Sequence, residues 1–409
     1  MNQPQSEFDV IVWGATGFTG RLVVEYLLER YGLDTSVRWA IAGRNQAKLD
    51  TLKAELGDAA SELPTFTADS HDRDSLQALV ARTRVIITTV GPYAKYGSEL
   101  VAACVENGTH YCDLAGEAQF MRKMIDQHEQ AARQSGARIV HACGFDSVPS
   151  DIGVYYLQQQ ARLQFGVPCS RVTMRVKAMK GSVSGGTIDS MMNAIEEAKT
   201  DREVARVLVN PYSLCPEGAR KGPDKRDQTG PVKDEDHGVW TAPFVMAGIN
   251  TKIVRRSNAL MNAAYGPGFR YQEAMWTGAG ITGYFKAMQI TLGLGVVMLA
   301  GSVDVLRAGM QKLFLPKPGE GPDRDQRDNG FYNFIMLGKT DDGKTITVKV
   351  RGDRDPGYGS TSKILGECGV CLALDELPVG GGFWTPASAM GDALLKRLPQ
   401  SAGLTFTIA

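Results

Sequence analysis

The sequence predicts an α/β fold: a doubly wound parallel sheet followed by a second, mixed α/β domain. Three observations predict it. Over the first 150 residues, short β-branched runs alternate with helical-period stretches about six times, the rhythm of a parallel sheet covered on both faces. A glycine-rich turn, Gly14-Ala15-Thr16-Gly17-Phe18-Thr19-Gly20, sits between the first such run and the first helical stretch. At 409 residues the chain exceeds one typical domain.

Composition narrows the class. Lys+Arg and Asp+Glu are both 45, and no basic tail is present, so no nucleic-acid partner is expected. Seven cysteines form an odd set without a disulfide rhythm, and the polar residues 1–7 run straight into the first strand. The expectation is a chain made without a secretory leader for a reducing cytoplasm. Cys368-Gly-Val-Cys371 is a lone CxxC on a predicted helix, with no second ligand pair at zinc spacing. It reads as small-residue packing, with a redox or metal role as the alternative, and no metal is expected.

Taken in order, residues 8–13 read as a buried strand and 21–30 as a helix, with Leu22, Val23, Tyr26 and Leu27 at helical spacing. A glycine turn between them can seat a pyrophosphate on the helix N-terminus, where backbone N–H groups and the positive dipole end converge. The spacing is Gly-x-x-Gly-x-x-Gly, and an ordinary tight turn is the alternative. The flanking strand and helix favour a dinucleotide, with contacts from Gly14, Thr16, Gly17, Phe18, Thr19 and Gly20.

The second strand, 37–42, ends in Gly43-Arg44-Asn45. An acidic residue there would suit the ribose hydroxyls of NAD. Arg44, with Lys48 one turn later, suits a 2′-phosphate instead, which points to NADP(H); the alternative is a solvated basic loop. After a helix over 47–56, the strand 65–68 ends at Asp69, placed to reach the adenine amino group. A helix over 75–81 and a strand over 85–90 lead to Gly91, Pro92 and Tyr93, a close turn expected beside the nicotinamide half. Residues 99–107 read as a helix closed by Gly108. The run 109–117, rich in ionisable groups, then precedes a helix over 118–135 and a strand over 138–142. That strand leads into 143–151 and a helix over 152–162, capped by Ser150 or Asp151.

In the second half, 171–178 alternates like a half-buried strand. Ser184, Gly185, Gly186 and Thr187 open a helix extending to about 209. They read as a substrate-binding turn, with a simple N-cap as the alternative. Residues 210–238, rich in proline, glycine and charge, read as a long loop and a mobile flap. A strand over 239–246, a helix over 250–264 and a strand over 269–276 follow. Residues 287–303 carry no charge over seventeen positions, short of the roughly 20 needed for a bilayer span. A buried or dimer-interface helix is expected there, with lipid-surface contact through 281–317 as the alternative. Residues 331–339 and 345–351 read as a hairpin around Asp341-Asp342-Gly343, 358–374 and 386–398 as helices, and 404–408 as a last strand. The implied domains are 1–150, 151–355 and 356–409.

At this point a resemblance carries further. Gly14 to Gly20, Gly91-Pro92-Tyr93, the His110 to Glu117 run and the Cys143 to Asp151 run are similar to those of saccharopine dehydrogenase-like oxidoreductases. So are Ser184-Gly185-Gly186-Thr187, Gly319-Glu320-Gly321-Pro322, Asp355-Pro356-Gly357-Tyr358 and Gly381-Gly382-Phe383-Trp384-Thr385-Pro386. The likeness is nearest to the branch of trans-acting enoyl reductases of mycobacterial lipid synthesis. It implies a Rossmann-type NADP domain, a second mixed α/β domain, final helices folding back on the first domain, and hydride transfer. A homodimer is expected, cytoplasmic or peripheral at the inner membrane face, serving lipid metabolism such as glycolipid biosynthesis.

Three functions stay open: reduction of an unsaturated lipid or acyl substrate, amino-acid (imine) dehydrogenation, and NADP binding without turnover at lipid surfaces. The second needs an arginine cluster in the cleft for a dicarboxylate, and the sequence does not place Arg171, Arg175, Arg255 or Arg270 there. Candidate proton donors are Tyr93, His110, Tyr111, Asp113, Glu117 and Asp146, each with a structural alternative as sheet-edge filler or loop tie. Tyr93, Tyr111, Asp113 and Asp146 are carried forward as catalytic candidates, Tyr93 first for its place at the strand end.

Overall fold

The first sheet is built from short strands whose central members are apolar and buried. They are β1 (Phe8–Trp13), β2 (Trp39–Gly43), β3 (Thr65–Thr67), β4 (Thr83–Thr88), β5 (His110–Cys112) and β6 (Arg138–Val140). All six residues of β1 are buried, as expected of a strand covered by helices on both faces. The strands run parallel in the order 3-2-1-4-5-6. In that doubly wound order a ligand crevice opens at the carboxyl ends of β1 and β4, where the winding reverses.

The computed structural model describes residues 6–33, 36–181, 184–302 and 321–409. Gly319, Glu320 and the expected lipid-contacting flank over 303–317 lie outside the described residues. A second sheet holds β7 (Arg171–Lys180), β8 (Val232–Asp234), β9 (Val239–Ala242), β10 (Arg270–Gly278), β11 (Phe331–Lys339) and β12 (Thr345–Gly352). The chain then returns to both sheets. β13 (Gly382–Trp384) adds a seventh parallel strand beside β6, and β14 (Leu404–Ile408) pairs antiparallel with β12. Only β7 and β10 are parallel in the second sheet, whose order is 14-12-11-7-10-9-8. Residues up to 148, with 321–322 and 357–403, form one unit; the rest of the described chain forms the other.

Several elements differ from the sequence reading, each for a local reason. The helix expected to reach 209 is two, Gly185–Thr200 and Arg202–Val209. Asp201 breaks it by accepting hydrogen bonds from the amides of Glu203 and Val204. The strand expected over 239–246 stops at Ala242, because Pro243 has no N–H to donate to a ladder. The apolar segment is a helix, Gly280–Ser302, and much of its apolar surface faces outward.

The expected mobile flap over 210–238 is a strap. Helix Ala247–Leu260 presents buried cations to it: Lys252 Nζ donates to Asn210 O (2.8 Å) and Arg255 Nε to Asp224 Oδ2 (2.9 Å). Arg256 donates to Leu214 O. Buried cations require such partners, so the loop and the helix hold each other in place. Tyr212, Leu214 and Cys215 are buried beneath, and the loop's end folds into the β8–β9 hairpin.

Glu273 on β10 is fully buried, accepting from Tyr271 Oη (2.8 Å) and Asn250 Nδ2 (3.0 Å). Burial outweighs these bonds and pushes its carboxyl up to about 7. An unfolded glutamate titrates near ~4.3, so the native state holds the extra proton and loses stability as pH rises from there through about 7. Glu273→Gln should remove roughly 2–4 kcal/mol of that loss, flattening the fall in urea midpoint between about pH 5 and 8. Equal slopes in the two proteins would show that Glu273 is not buried as described.

Candidate active site

Strand register brings the site together. Trp13, the last residue of β1, pairs with Ala42 of β2, and in β4 with Thr88. Ile87 pairs with Cys112 of β5, and Cys112 with Val140 of β6. The residues leaving these strands, Arg44, Gly14, Thr89, Asp113 and His141, therefore line one edge. Asp69 follows β3 on the same side.

At the centre of that edge the glycine turn is fixed by packing. Gly14 has φ +86°, and a Cβ there would fall 2.5 Å from Val90 Cγ2. A Cβ on Gly20 would fall 2.1 Å from Gly14 O, so only glycine lets helix Phe18–Tyr31 approach this closely. Thr89 Oγ1 donates to Gly14 O (3.3 Å) and ties the turn to the end of β4. Gly17 is exposed, and a Cβ there would meet nothing nearer than Gly14 O at 3.4 Å. Its amide donates to Gly14 O (3.0 Å), it precedes the helix without a side-chain cap, and the first turn holds no acid to oppose the dipole. The hydroxyls of Thr16 and Thr19 make no hydrogen bond among the described residues. Phe18 packs its ring edge-on to Tyr358 (4.8 Å) and against Gly321, leaving its backbone at the helix start.

Arg44 and Lys48 are exposed, and neither side chain has a carboxylate partner among the described residues. Asn45 accepts from the Lys48 amide (3.1 Å), which starts helix Gln46–Leu56 and places Lys48 on its first turn. Asp69 spends Oδ1 on the His71 amide (2.9 Å). A helix N-terminus without an acid, two threonine hydroxyls and two cations without a carboxylate partner among the described residues fit a dinucleotide carrying a third phosphate.

Comparison with known proteins agrees. Residues 10–140 match the saccharopine dehydrogenase NADP binding domain family. A Mycobacterium tuberculosis protein named as a trans-acting enoyl reductase is 44% identical over 417 residues, covering 99% of this chain and 98% of its own. A trans-acting enoyl reductase of Mycobacterium ulcerans is 38% identical over 412 residues, covering 98% of each. The chain belongs to the saccharopine dehydrogenase-like oxidoreductases, in the trans-acting enoyl reductase branch. Saccharopine dehydrogenase (L-Glu forming) from Saccharomyces cerevisiae shares the fold, with TM-score 0.53 and 13% identity over 98% of this chain and 99% of that one. The protein is an NADPH-dependent oxidoreductase.

The proton-bearing groups of this reductase differ in how they are held. Tyr93 is buried; its hydroxyl donates to Thr88 O (3.1 Å) and accepts from Leu114 N (3.1 Å). Burial raises its phenol well above the usual range. The sequence placed it facing the nicotinamide, whereas the structure makes it a tie between two loops. Glu117 holds the same turn, accepting from the amides of Tyr93 (2.8 Å) and Ala94 (3.0 Å). Tyr111 is fully buried and donates to Asp113 Oδ2 (2.9 Å). Asp113 also accepts from the amides of Ala115 (2.9 Å) and Ala142 (3.0 Å) and lies 2.6 Å from His141 Nδ1.

His141 is the residue the sequence reading missed. It directly follows β6, level with Asp113, a placement set by the β5–β6 register. Its ring lies 5.5–5.8 Å from those of Tyr111, Phe120 and Phe383, and Nε2 is buried without a partner. His110 belongs to the start of β5. Burial first, then Arg138 and Arg84, hold it down to about 3, so it is a neutral, structural imidazole.

Asp146 stands apart. It is half-buried, makes no hydrogen bond among the described residues, and burial pushes its carboxyl up to about 7. In the second unit, Ser184 Oγ accepts from the Thr187 amide (3.0 Å) and lies 2.7 Å from Thr187 Oγ1, which is an N-cap. Cys368 and Cys371 are free, buried thiols on helix Thr361–Leu374.

The turn's packing can be checked directly. Gly20→Ala drives a methyl into Gly14 O and should cost about 1–3 kcal/mol, read as a lowered urea midpoint. An unchanged midpoint would mean the helix does not pack on the turn.

Proposed function

We propose that the protein saturates the carbon–carbon double bond of an enoyl acyl substrate of lipid class, with Asp146 as the proton donor. The observation that carries this reading is the Asp146 carboxyl, unpaired and near neutrality, on the same sheet edge as the nucleotide turn. The full-length likeness to trans-acting enoyl reductases supports the substrate class.

Bound NADPH would supply the hydride. The N-terminus of helix Phe18–Tyr31, with the Thr16 and Thr19 hydroxyls, would hold its diphosphate. Arg44 and Lys48 would take the 2′-phosphate, and Asp69 the adenine side. Gly91 and Pro92, at the mouth of the crevice after β4, would border the nicotinamide. Tyr93 and Glu117 would position that turn rather than exchange protons. Asp146 keeps its proton up to about pH 7 and can give it to the carbon next to the acyl carbonyl.

The amino-acid reading loses its anion site. Arg175 pairs with Asp234 (2.6 Å), Arg255 with Asp224 (2.9 Å), and Arg171 with Asp236. Three of the four arginines that could bind a dicarboxylate are thus already neutralised. Ser184, Gly185, Gly186 and Thr187 retain a substrate role only through groups the cap leaves free. The two partner expectations, a second copy of the chain and a membrane surface, compete for the same exposed stripe of helix Gly280–Ser302.

NADPH consumption against enoyl thioesters and against keto-acid plus amine pairs separates the reductase from the dehydrogenase. Turnover only with the amine pairs would refute the proposal. Asp146→Asn should lower kcat about 10²–10⁴-fold with NADPH affinity kept, and should abolish the activity limb that falls as pH rises through about 7. A retained limb would acquit Asp146. Arg44→Ala should weaken NADPH binding about 10–100-fold and leave NADH binding nearly unchanged, as read by fluorescence titration. Equal losses for both cofactors would remove the 2′-phosphate role.

A further inference from the structure

Helix Gly280–Ser302 has one flank on its own unit and one flank open. Gly283 and Ala287 are buried on the inner flank, and Tyr284 meets Trp240 of β9 edge to face at 4.9 Å. On the outer flank Ile281, Phe285, Leu292, Val296 and Leu299 are 59–67% exposed. Their spacings of four, seven, four and three residues place them within an arc of about 60° on a helix turning ~100° per residue. An apolar stripe five side chains long, facing outward, is not the surface of a protein at rest in water.

Charge says what covers it. No residue from Ala287 to Ser302 is ionisable. Lys286, the helix's single charge, is exposed and has no acidic partner among the described residues. A second copy docking stripe to stripe would bring no carboxylate on its helix to meet Lys286. A layer of anionic headgroups would. The sequence that follows, outside the described residues, adds Arg307, Lys312 and Lys317 against Asp304 and Glu320.

Length says how. The first two turns pack on the sheet, and by sequence the uncharged run from Ala287 to Val303 would span about 26 Å as helix at ~1.5 Å per residue. That is short of the roughly 30 Å hydrocarbon core, so the part beyond the sheet suits one leaflet's interface better than a span.

We propose that Gly280–Ser302 is an in-plane anchor that seats the reductase on an anionic bilayer, with Phe285, Leu292, Val296 and Leu299 facing the acyl chains and Lys286 the headgroups. The anchor does not depend on which substrate is reduced. The test is flotation of the full chain with vesicles of phosphatidylcholine alone and of phosphatidylcholine mixed with phosphatidylglycerol. Wild type should float with the anionic vesicles, less so as salt is raised. The exposed double variant Leu292→Asp/Val296→Asp should lose binding at least about 10-fold, and Lys286→Glu should lose binding to the anionic vesicles selectively. Unchanged circular dichroism and NADPH affinity would show that these variants fold. A wild type that fails to float, or a double variant that floats equally, overturns the proposal. So does a dimer, seen by light scattering, that the double variant dissociates while no vesicle binding occurs; that result assigns the stripe to a second copy.

Discussion

The Asp113 carboxylate is the point on which the nucleotide-side loops depend. A carboxylate with no water contact costs several kcal/mol unless its oxygens are filled. Here they receive the Tyr111 hydroxyl, two backbone amides from different loops, and the His141 ring. Ala115 belongs to the loop after β5 and Ala142 to the loop after β6, so one buried charge fixes both. Ala142 adopts φ +60°, unusual for a residue with a Cβ, and its amide bond to Asp113 Oδ1 accompanies that conformation. Glu117 lies further along the first loop and Asp146 along the second. Through them the clamp reaches both the turn after β4 and the unpaired carboxyl.

Much of the first sheet was legible because its signals are local. A β-branched run before Gly14, another before Gly91, and helical spacing between them need only neighbouring residues to interpret. The misses share a different cause. β13 is three residues long behind a glycine run, and it exists because the edge of β6 offers unpaired groups, a tertiary fact. The strap over 210–238 looked like solvated chain because its acids and turns are polar. Their partners, Lys252, Arg255 and Arg256, lie some 30 to 40 residues further along. Helix Gly280–Ser302 shows the limit from the opposite side. A stretch without charges carries no polar face to mark which side meets water, so its composition could not separate core from surface.

The site was legible to the depth of backbone geometry. Glycines at 14 and 20 announce a close approach, and Arg44 announces its charge, without any knowledge of side-chain direction. Ranking the proton donors required that direction. Tyr93 and Asp146 both follow strands at the crevice edge, and nothing in their spacing says that one turns inward to bond Thr88 O while the other meets no partner. His141 was absorbed into the strand before it, since a run of Arg-Ile-Val-His-Ala reads as continuous. Its pairing with Asp113 depends on register between β5 and β6, which no single stretch of sequence contains.

Three carboxyl groups near one edge, held in three different ways, are what allow a division of labour. Asp113 accepts from several donors and Glu117 from two amides at the start of a helical turn, and each is committed to architecture. Asp146 has no donor to displace. Burial alone opposes its charge, so its proton is held by the environment's low polarity rather than by a specific partner, and it can be surrendered when a stronger claim appears. In the reaction we propose, a developing carbanion beside a carbonyl is such a claim. In the proposed reaction, therefore, a difference in hydrogen-bond supply separates the two carboxyls that hold the loops in place from the one that gives the proton.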